Sequence, residues 1–218
     1  LLNRLLSLGR DQAWRKFAVT QIPPMEKGVI LDIATGTGDI ALALAKTQPE
    51  NTKIIGLDFS IPMLKIAQKK IYKKGLSNRI KLSLANALSL PFMSETANAI
   101  IIAFGLRNLS DPGRGLIEMC RVIRPGGHLV ILDFSNPKNY FFKKLYYLYF
   151  LRVLPWLGGI ISQNRKAYQY LPESVLAFPY GDALTEKLAQ SGFQAVSYYP
   201  LTWGIAAVYT ARKPEEVG

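Results

Sequence analysis

Residues 29–41 read Val-Ile-Leu-Asp-Ile-Ala-Thr-Gly-Thr-Gly-Asp-Ile-Ala. An apolar run of strand length ends in two glycines spaced Gly36-x-Gly38, and a helical pattern begins at once, the layout of a nucleotide-binding strand-turn-helix. Glycine suits both positions because the turn must bring backbone N–H groups close to a ligand, and a Cβ would obstruct the φ angle and the approach. Such a turn is followed about twenty residues on by an acid. Ile54 to Asp58, Ile-Ile-Gly-Leu-Asp, supplies it: a second apolar strand ending in a carboxylate placed to accept hydrogen bonds from ribose hydroxyls.

Gly-x-Gly alone does not distinguish a dinucleotide site from a site for S-adenosylmethionine (SAM), since both use the same sheet topology. Asp32 and Asp39 separate them. A pyrophosphate at the helix N-terminus would be repelled by a carboxylate one turn before the first glycine and again by one directly after the second. SAM carries no phosphate but has an amino group and a sulfonium, which suit two acids. Asp39 also fits the simpler role of charging a helix N-terminus.

A chain of 218 residues fits one domain over 1–218, large enough for a sheet with helices on both faces. The single cysteine, Cys120, excludes an internal disulfide and favours a reducing compartment. The start shows no secretory pattern, so the expected location is cytoplasmic, and opening at Leu1 rather than Met reads as a trimmed chain. The net charge of +12 is unevenly spread. Between Asp58 and Glu95 lie seven bases and no acid (Lys65, Lys69, Lys70, Lys73, Lys74, Arg79, Lys81). Between Asp133 and Glu173 lie six more, again without an acid (Lys138, Lys143, Lys144, Arg152, Arg165, Lys166). These thirteen exceed the whole net charge, so the protein has two basic surfaces rather than a uniform basic coat.

Along the chain, helical spacing in Leu1 to Val19 predicts one or two short helices broken near Gly9, part of a cover over the cleft spanning about 1–22. Helices follow at Asp39 to Lys46, at Ile61 to Lys74 capped by Ser60, at Gly113 to Val122 and at Tyr180 to Gln190. Strands are expected at Ile80 to Leu84, Ala99 to Phe104 and, after a Pro125-Gly126-Gly127 turn, His128 to Phe134. Ala195 to Leu201 and Ile205 to Ala211 are close enough to pair antiparallel. The alternation predicts an α/β fold with a doubly wound, mostly parallel seven-stranded sheet and a C-terminal antiparallel hairpin. His128 opens its strand at the amino end, away from the carboxyl ends where such sheets bind ligands, and no Cys/His cluster suggests a metal.

Residues 136–179 interrupt this rhythm with an apolar, aromatic stretch that carries Lys143, Lys144, Arg152 and Pro155. Those interruptions exclude a spanning helix, which needs about twenty mostly apolar residues. Tyr and Trp among Lys and Arg compose a segment lying at a membrane interface or a lid over a greasy substrate; a buried helix pair at the sheet edge is the plainer reading.

Asp-Ile-Ala-Thr-Gly-Thr-Gly-Asp (32–39), Ala-Asn-Ala-Leu-Ser-Leu-Pro-Phe (85–92), Phe-Gly-Leu-Arg-Asn (104–108), Arg-Pro-Gly-Gly (124–127), Leu-Asp-Phe-Ser-Asn-Pro (132–137) and Tyr-Gln-Tyr-Leu-Pro-Glu-Ser (168–174) together resemble the menaquinone/ubiquinone biosynthesis C-methyltransferase family. The resemblance covers nearly the whole chain. It implies a class I, Rossmann-like SAM-dependent methyltransferase that methylates a ring carbon of a prenylated or phytylated quinol, in menaquinone or phylloquinone biosynthesis. It further implies SAM contacts at Thr37, at Asp58 and at Asn86 and Ala87 beside the adenine, joining Asp32, Gly36 and Gly38. Where family members often carry serine before Phe-Gly-Leu-Arg-Asn, this chain has Ala103.

Arg107 and Asn108 are the expected catalytic residues. A ring carbon becomes nucleophilic only once a quinol hydroxyl loses its proton, and guanidinium, which stays protonated, can stabilise the resulting oxyanion. The proton acceptor is either a water held by Arg107 and Asn108 or Asp133. Arg107 could instead pair with a nearby acid and hold its loop. The expected partners are a lipophilic quinol and an anionic membrane surface bound peripherally, without nucleic acid; homo-oligomerisation is left open. Two rival functions are an RNA methyltransferase using the Lys65–Lys81 face and an inert scaffold of the same fold.

Overall fold

The computed structural model describes Ser7, residues 9–137 and residues 178–215. The first residues of the expected cover, and nearly all of the 136–179 segment with its Tyr-Gln-Tyr-Leu-Pro-Glu-Ser motif, lie outside the described residues. The described elements, in chain order, are α1 (Asp11–Thr20), β1 (Gly28–Ile33), α2 (Asp39–Thr47), β2 (Thr52–Asp58), α3 (Ile61–Lys73), β3 (Ile80–Leu84), β4 (Ala97–Ala103), α4 (Pro112–Val122), β5 (Ile123–Phe134), α5 (Asp182–Gln190), β6 (Gln194–Leu201) and β7 (Ala206–Arg212).

The seven strands form one sheet in the order β3-β2-β1-β4-β5-β7-β6. β1 to β5 run parallel, and β7 lies antiparallel to both β5 and β6. The central strands alternate between two buried faces. Ile30, Ala99, Ile101, Val130 and Leu132 pack against α1, α2 and α3 through Trp14, Ala18, Leu44 and Ile71. Leu31, Ile33, Ile100, Ile102 and Ile131 pack on the other side against Leu116 and Met119 of α4 and Leu184 and Leu188 of α5. Runs such as Ile100-Ile101-Ile102 therefore read as continuous apolar sequence: successive side chains are buried on opposite faces.

Local chemistry sets the ends of these elements. Asp111 accepts a hydrogen bond from Arg114 N at 2.9 Å and Pro112 opens α4, a side-chain N-cap followed by a residue with no N–H to satisfy. Ser60 does not cap α3 through its hydroxyl, contrary to expectation. Pro62 in the first turn removes one of the donors such a cap would bond, while the Ser60 N–H itself goes to Asp58 Oδ1 at 2.8 Å. Pro125–Gly127 lies inside β5 as an irregularity rather than ahead of the strand: Ala97 pairs Ile123, then Ala99 pairs His128. The turn stays in the sheet because Gly126 N–H donates to Lys213 O and Lys213 N–H to Gly127 O, each at 3.0 Å.

Candidate functional site

In the strand order, β1 is followed in sequence by β2 on one side and flanked by β4 on the other, so the chain order reverses between β1 and β4. A crevice opens at such a switch point. The loop after β1 is Ala34 to Gly38. Gly38 has φ +77° and caps α2 at its start; a Cβ there would be strained by that φ and would stand 3.1 Å from the Ala67 Cβ, so glycine lets α3 pack this closely on the loop. Gly36, at φ +54°, faces open space that a side chain would occupy.

Asp32 is the acid at the bottom of this loop, 1% exposed. Its Oδ2 accepts from the Thr35 hydroxyl and from Ala41 N at 3.1 Å, while Oδ1 is buried with no hydrogen-bond partner. Burial pushes its pKa from 3.8 up to about 7, against the lowering effects of those hydrogen bonds and of Arg15. Sequence reasoning treated Asp32 as a fixed negative charge; burial makes its charge depend on what meets Oδ1. Asp39 stands in the first turn of α2 and is bound into ion pairs with Lys70 and, at 3.6 Å, with Arg15. Thr37 lies beside it, with its hydroxyl 3.2 Å from both Asp39 Oδ2 and Lys70 Nζ.

Asp58 ends β2, where the spacing placed it. Its Oδ2 accepts from Gly36 N at 2.7 Å and its Oδ1 from Ser60 N at 2.8 Å, so the carboxylate is held between the glycine loop and the start of α3. Each carboxylate oxygen keeps a second acceptor site. Ala85 N–H donates to Asp58 O at 3.0 Å, which brings the next loop alongside. There Asn86 is exposed and folds into a turn, its Oδ1 accepting from Leu88 N at 2.9 Å, and Ala87 follows half-buried.

The loop after β4 is bent sharply. Phe104 has φ +57° and Ala34, across the crevice, φ +54°, conformations that cost a non-glycine residue about 1–3 kcal/mol each and collect at functional sites. A Cβ at Gly105 would come within 2.6 Å of the Ala34 Cβ, so this glycine lets the two loops touch. Arg107 follows in a short 3-10 turn and is buried, 8% exposed. Its Nη1 pairs with Asp133 Oδ1 at the end of β5, its guanidinium lies 5.0 Å over the Phe134 ring, and its Nε has no hydrogen-bond partner. Asp133 also accepts from Phe134 N at 2.8 Å. Asn108 is exposed next door, its Nδ2 donating to Phe104 O at 3.1 Å.

Helix α1 lies over this end. Trp14 donates from Nε1 to the Thr202 hydroxyl at 2.8 Å and its ring packs on Phe104 and Phe134, at centroid distances of 6.4 and 6.2 Å. The fold thus gathers Asp32, Gly36, Thr37, Gly38, Asp58, Arg107 and Asn108 at one end of the sheet, with Asn86 and Ala87 joined through Ala85. His128 is elsewhere: rather than opening its strand it is the sixth residue of β5, just after the Pro125–Gly127 irregularity and opposite Ala99 and Arg212, where burial and Arg212 lower its pKa. Sequence reasoning missed Thr35, although its three-residue spacing from Asp32 was visible, and Arg15, which nothing local to α1 marks out.

Residues 1–213 match the ubiE/COQ5 methyltransferase family. The chain is 46% identical over 212 residues to the ubiquinone/menaquinone biosynthesis C-methyltransferase UbiE of Geotalea daltonii, covering 97% of this chain and 90% of that protein. It is 47% identical over 214 residues to the demethylmenaquinone methyltransferase of Thermus thermophilus, covering 98% and 96% respectively. In fold it is similar to a SAM-dependent methyltransferase from Aquifex aeolicus, with TM-score 0.69 at 20% identity over 97% of this chain and 96% of that one. The Rossmann-like sheet with its antiparallel C-terminal pair is therefore that of the class I methyltransferases, and the chain is an enzyme of the ubiE/COQ5 methyltransferase family.

Proposed function

We propose that the chain transfers a methyl group from S-adenosyl-L-methionine to a ring carbon of a prenylated or phytylated quinol. The observation that carries the cofactor assignment is the unpartnered, buried Oδ1 of Asp32 beside the open cradle at Gly36. An ammonium group meets the first need, and a ligand backbone close to N–H groups meets the second. Asp58 then takes the ribose hydroxyls, Asn86 and Ala87 border the adenine, and Thr37 and Gly38 shape the loop. When bound, SAM supplies an electrophilic methyl group on a sulfonium.

The quinol assignment rests on the names of the relatives and on the family motif at 104–108. Arg107 and Asn108 are the catalytic candidates. With Nη1 committed to Asp133, the Arg107 Nε is the buried donor left for a developing quinol oxyanion. Asp133 orients the guanidinium and Asn108, at the solvent side, holds water that accepts the proton. Peripheral docking on an anionic membrane brings enzyme and substrate together. The outward face of α3 supports it: Lys65, Lys69 and Lys73 stand one turn apart beside exposed Ile66 and Tyr72. Among the described residues no helix is long and apolar enough to cross a membrane.

Incubation with SAM and a panel of reduced naphthoquinols and benzoquinols, followed by mass spectrometry, tests the function. The expected product carries one added methyl on the ring. Binding of SAM without ring methylation of any quinol would overturn it, and salt-sensitive methylation of RNA instead would move the assignment to the Lys65–Lys81 face.

A further inference from the structure

We infer that Arg15 binds the carboxylate of the cofactor's amino-acid end, reaching into the cleft from the helix that covers it; the inference rests on the SAM reading above. Arg15 is placed firmly. Its neighbour Trp14 is pinned to Thr202 and packed on Phe104 and Phe134, which sets α1 against the carboxyl ends of β4 and β5. The Arg15 guanidinium lies 5.5 Å over the Phe104 ring on one side, and on the other its Nη1 is 3.6 Å from Asp39 at the start of α2. Its side chain is 18% exposed. It therefore bridges the loops after β1 and β4, across the crevice where the amino-acid end of the cofactor must lie if Asp32 meets the ammonium.

Charge points the same way. The glycine loop is bonded by Asp32 through Thr35, by Asp39 through Thr37 and by Asp58 through Gly36 N, and a carboxylate entering among them needs a cation. Among the described residues, the ion pairs at this loop involve Arg15 and Lys70. Lys70 is spent on Asp39 and the Thr37 hydroxyl. Arg15 makes one hydrogen bond among the described residues, from Nη1 to Asp11 at 2.8 Å, which leaves the rest of a five-donor planar fork for a bidentate partner. The plainer role, tying α1 to α2 through Asp11 and Asp39, uses Nη1 alone.

Calorimetric titration of the full chain with SAM and with decarboxylated SAM separates the two roles, because the second ligand keeps the ammonium, sulfonium and nucleoside and lacks only the carboxylate. The expected result is that Arg15→Gln weakens SAM about tenfold or more and leaves decarboxylated SAM within about twofold, with Arg15→Lys between. Equal losses for both ligands, or no loss for either, would overturn the carboxylate assignment while leaving the cofactor reading intact. If the parent protein bound neither ligand, both readings would fall together. Should Arg15→Gln not fold, Arg15→Lys decides the same comparison, since a point charge does not reproduce the fork.

Discussion

Asp32→Asn is expected to stabilise the ligand-free protein while weakening its cofactor site. The parent carboxylate is buried, with one oxygen unpartnered, and its pKa stands at about 7 against an ordinary 3.8. A group whose folded pKa is raised contributes stability that is complete below its unfolded pKa and is lost as pH rises through the folded value. The slope is about 1.4 kcal/mol per pH unit between about pH 4 and pH 7, which sums to at most about 4 kcal/mol by pH 8. Asparagine keeps an acceptor for the Thr35 hydroxyl and Ala41 N and carries no charge to bury. Denaturant unfolding at pH 5, 6, 7 and 8 should therefore show the variant more stable than its parent, by a margin that widens up to pH 7 and then levels. The same substitution removes the anion that meets the cofactor ammonium, so SAM affinity should drop at least tenfold at pH 8. Parental SAM affinity should itself decline as pH falls below about 7, and the variant's should not. A constant stability gap across this range, or a variant less stable than its parent at pH 8, would refute the assignment of a strained buried charge to Asp32.

Asp58→Ala should reduce SAM affinity at least tenfold by calorimetry, since it removes charge-assisted bonds worth about 1.5–3 kcal/mol; unchanged affinity would take this acid away from the ribose. Arg107→Lys should keep SAM binding but lose most turnover, and recover part of it as pH rises toward the free quinol pKa; near-normal methylation at neutral pH with saturating substrates would leave Arg107 as a loop clamp for Asp133. Flotation with anionic vesicles should recover the protein in a salt-sensitive manner, each base near the surface contributing about 1 kcal/mol. Joint neutralisation of Lys65, Lys69 and Lys73 and joint neutralisation of Lys143, Lys144 and Arg152 identify which basic surface makes the contact, and undiminished flotation by both variants would count against either.

Much of this protein is legible without coordinates because its strongest signals are local. The run from Val29 to Ala41 holds strand, turn and helix within thirteen residues, and Asp58 follows at the expected distance. Period-two burial and helical spacing are properties of neighbouring residues, so the strands emerged with bounds close to those observed; β3 matched at both ends. Errors arose where a distant partner decides the local outcome. The Pro125–Gly127 turn was absorbed into β5 by Lys213 at the other end of the chain, whereas the missing Ser60 cap has a local cause, the absent N–H of Pro62.

What the tertiary structure alone decided is electrostatic. The identity of Asp32 is written in the chain, but its pKa near 7 comes from burial, which depends on α2 and the sheet closing around it. Arg107 was visible as a cation after β4, while its pairing with Asp133 exists because β4 and β5 lie side by side. Arg15 carried no signal at all: it meets Asp39 and Phe104 only when α1 folds back across the gap between β1 and β4. Propensity and periodicity act over a few residues, whereas the energy of a charge depends on every group within several ångströms, and those groups come from positions far apart in the chain.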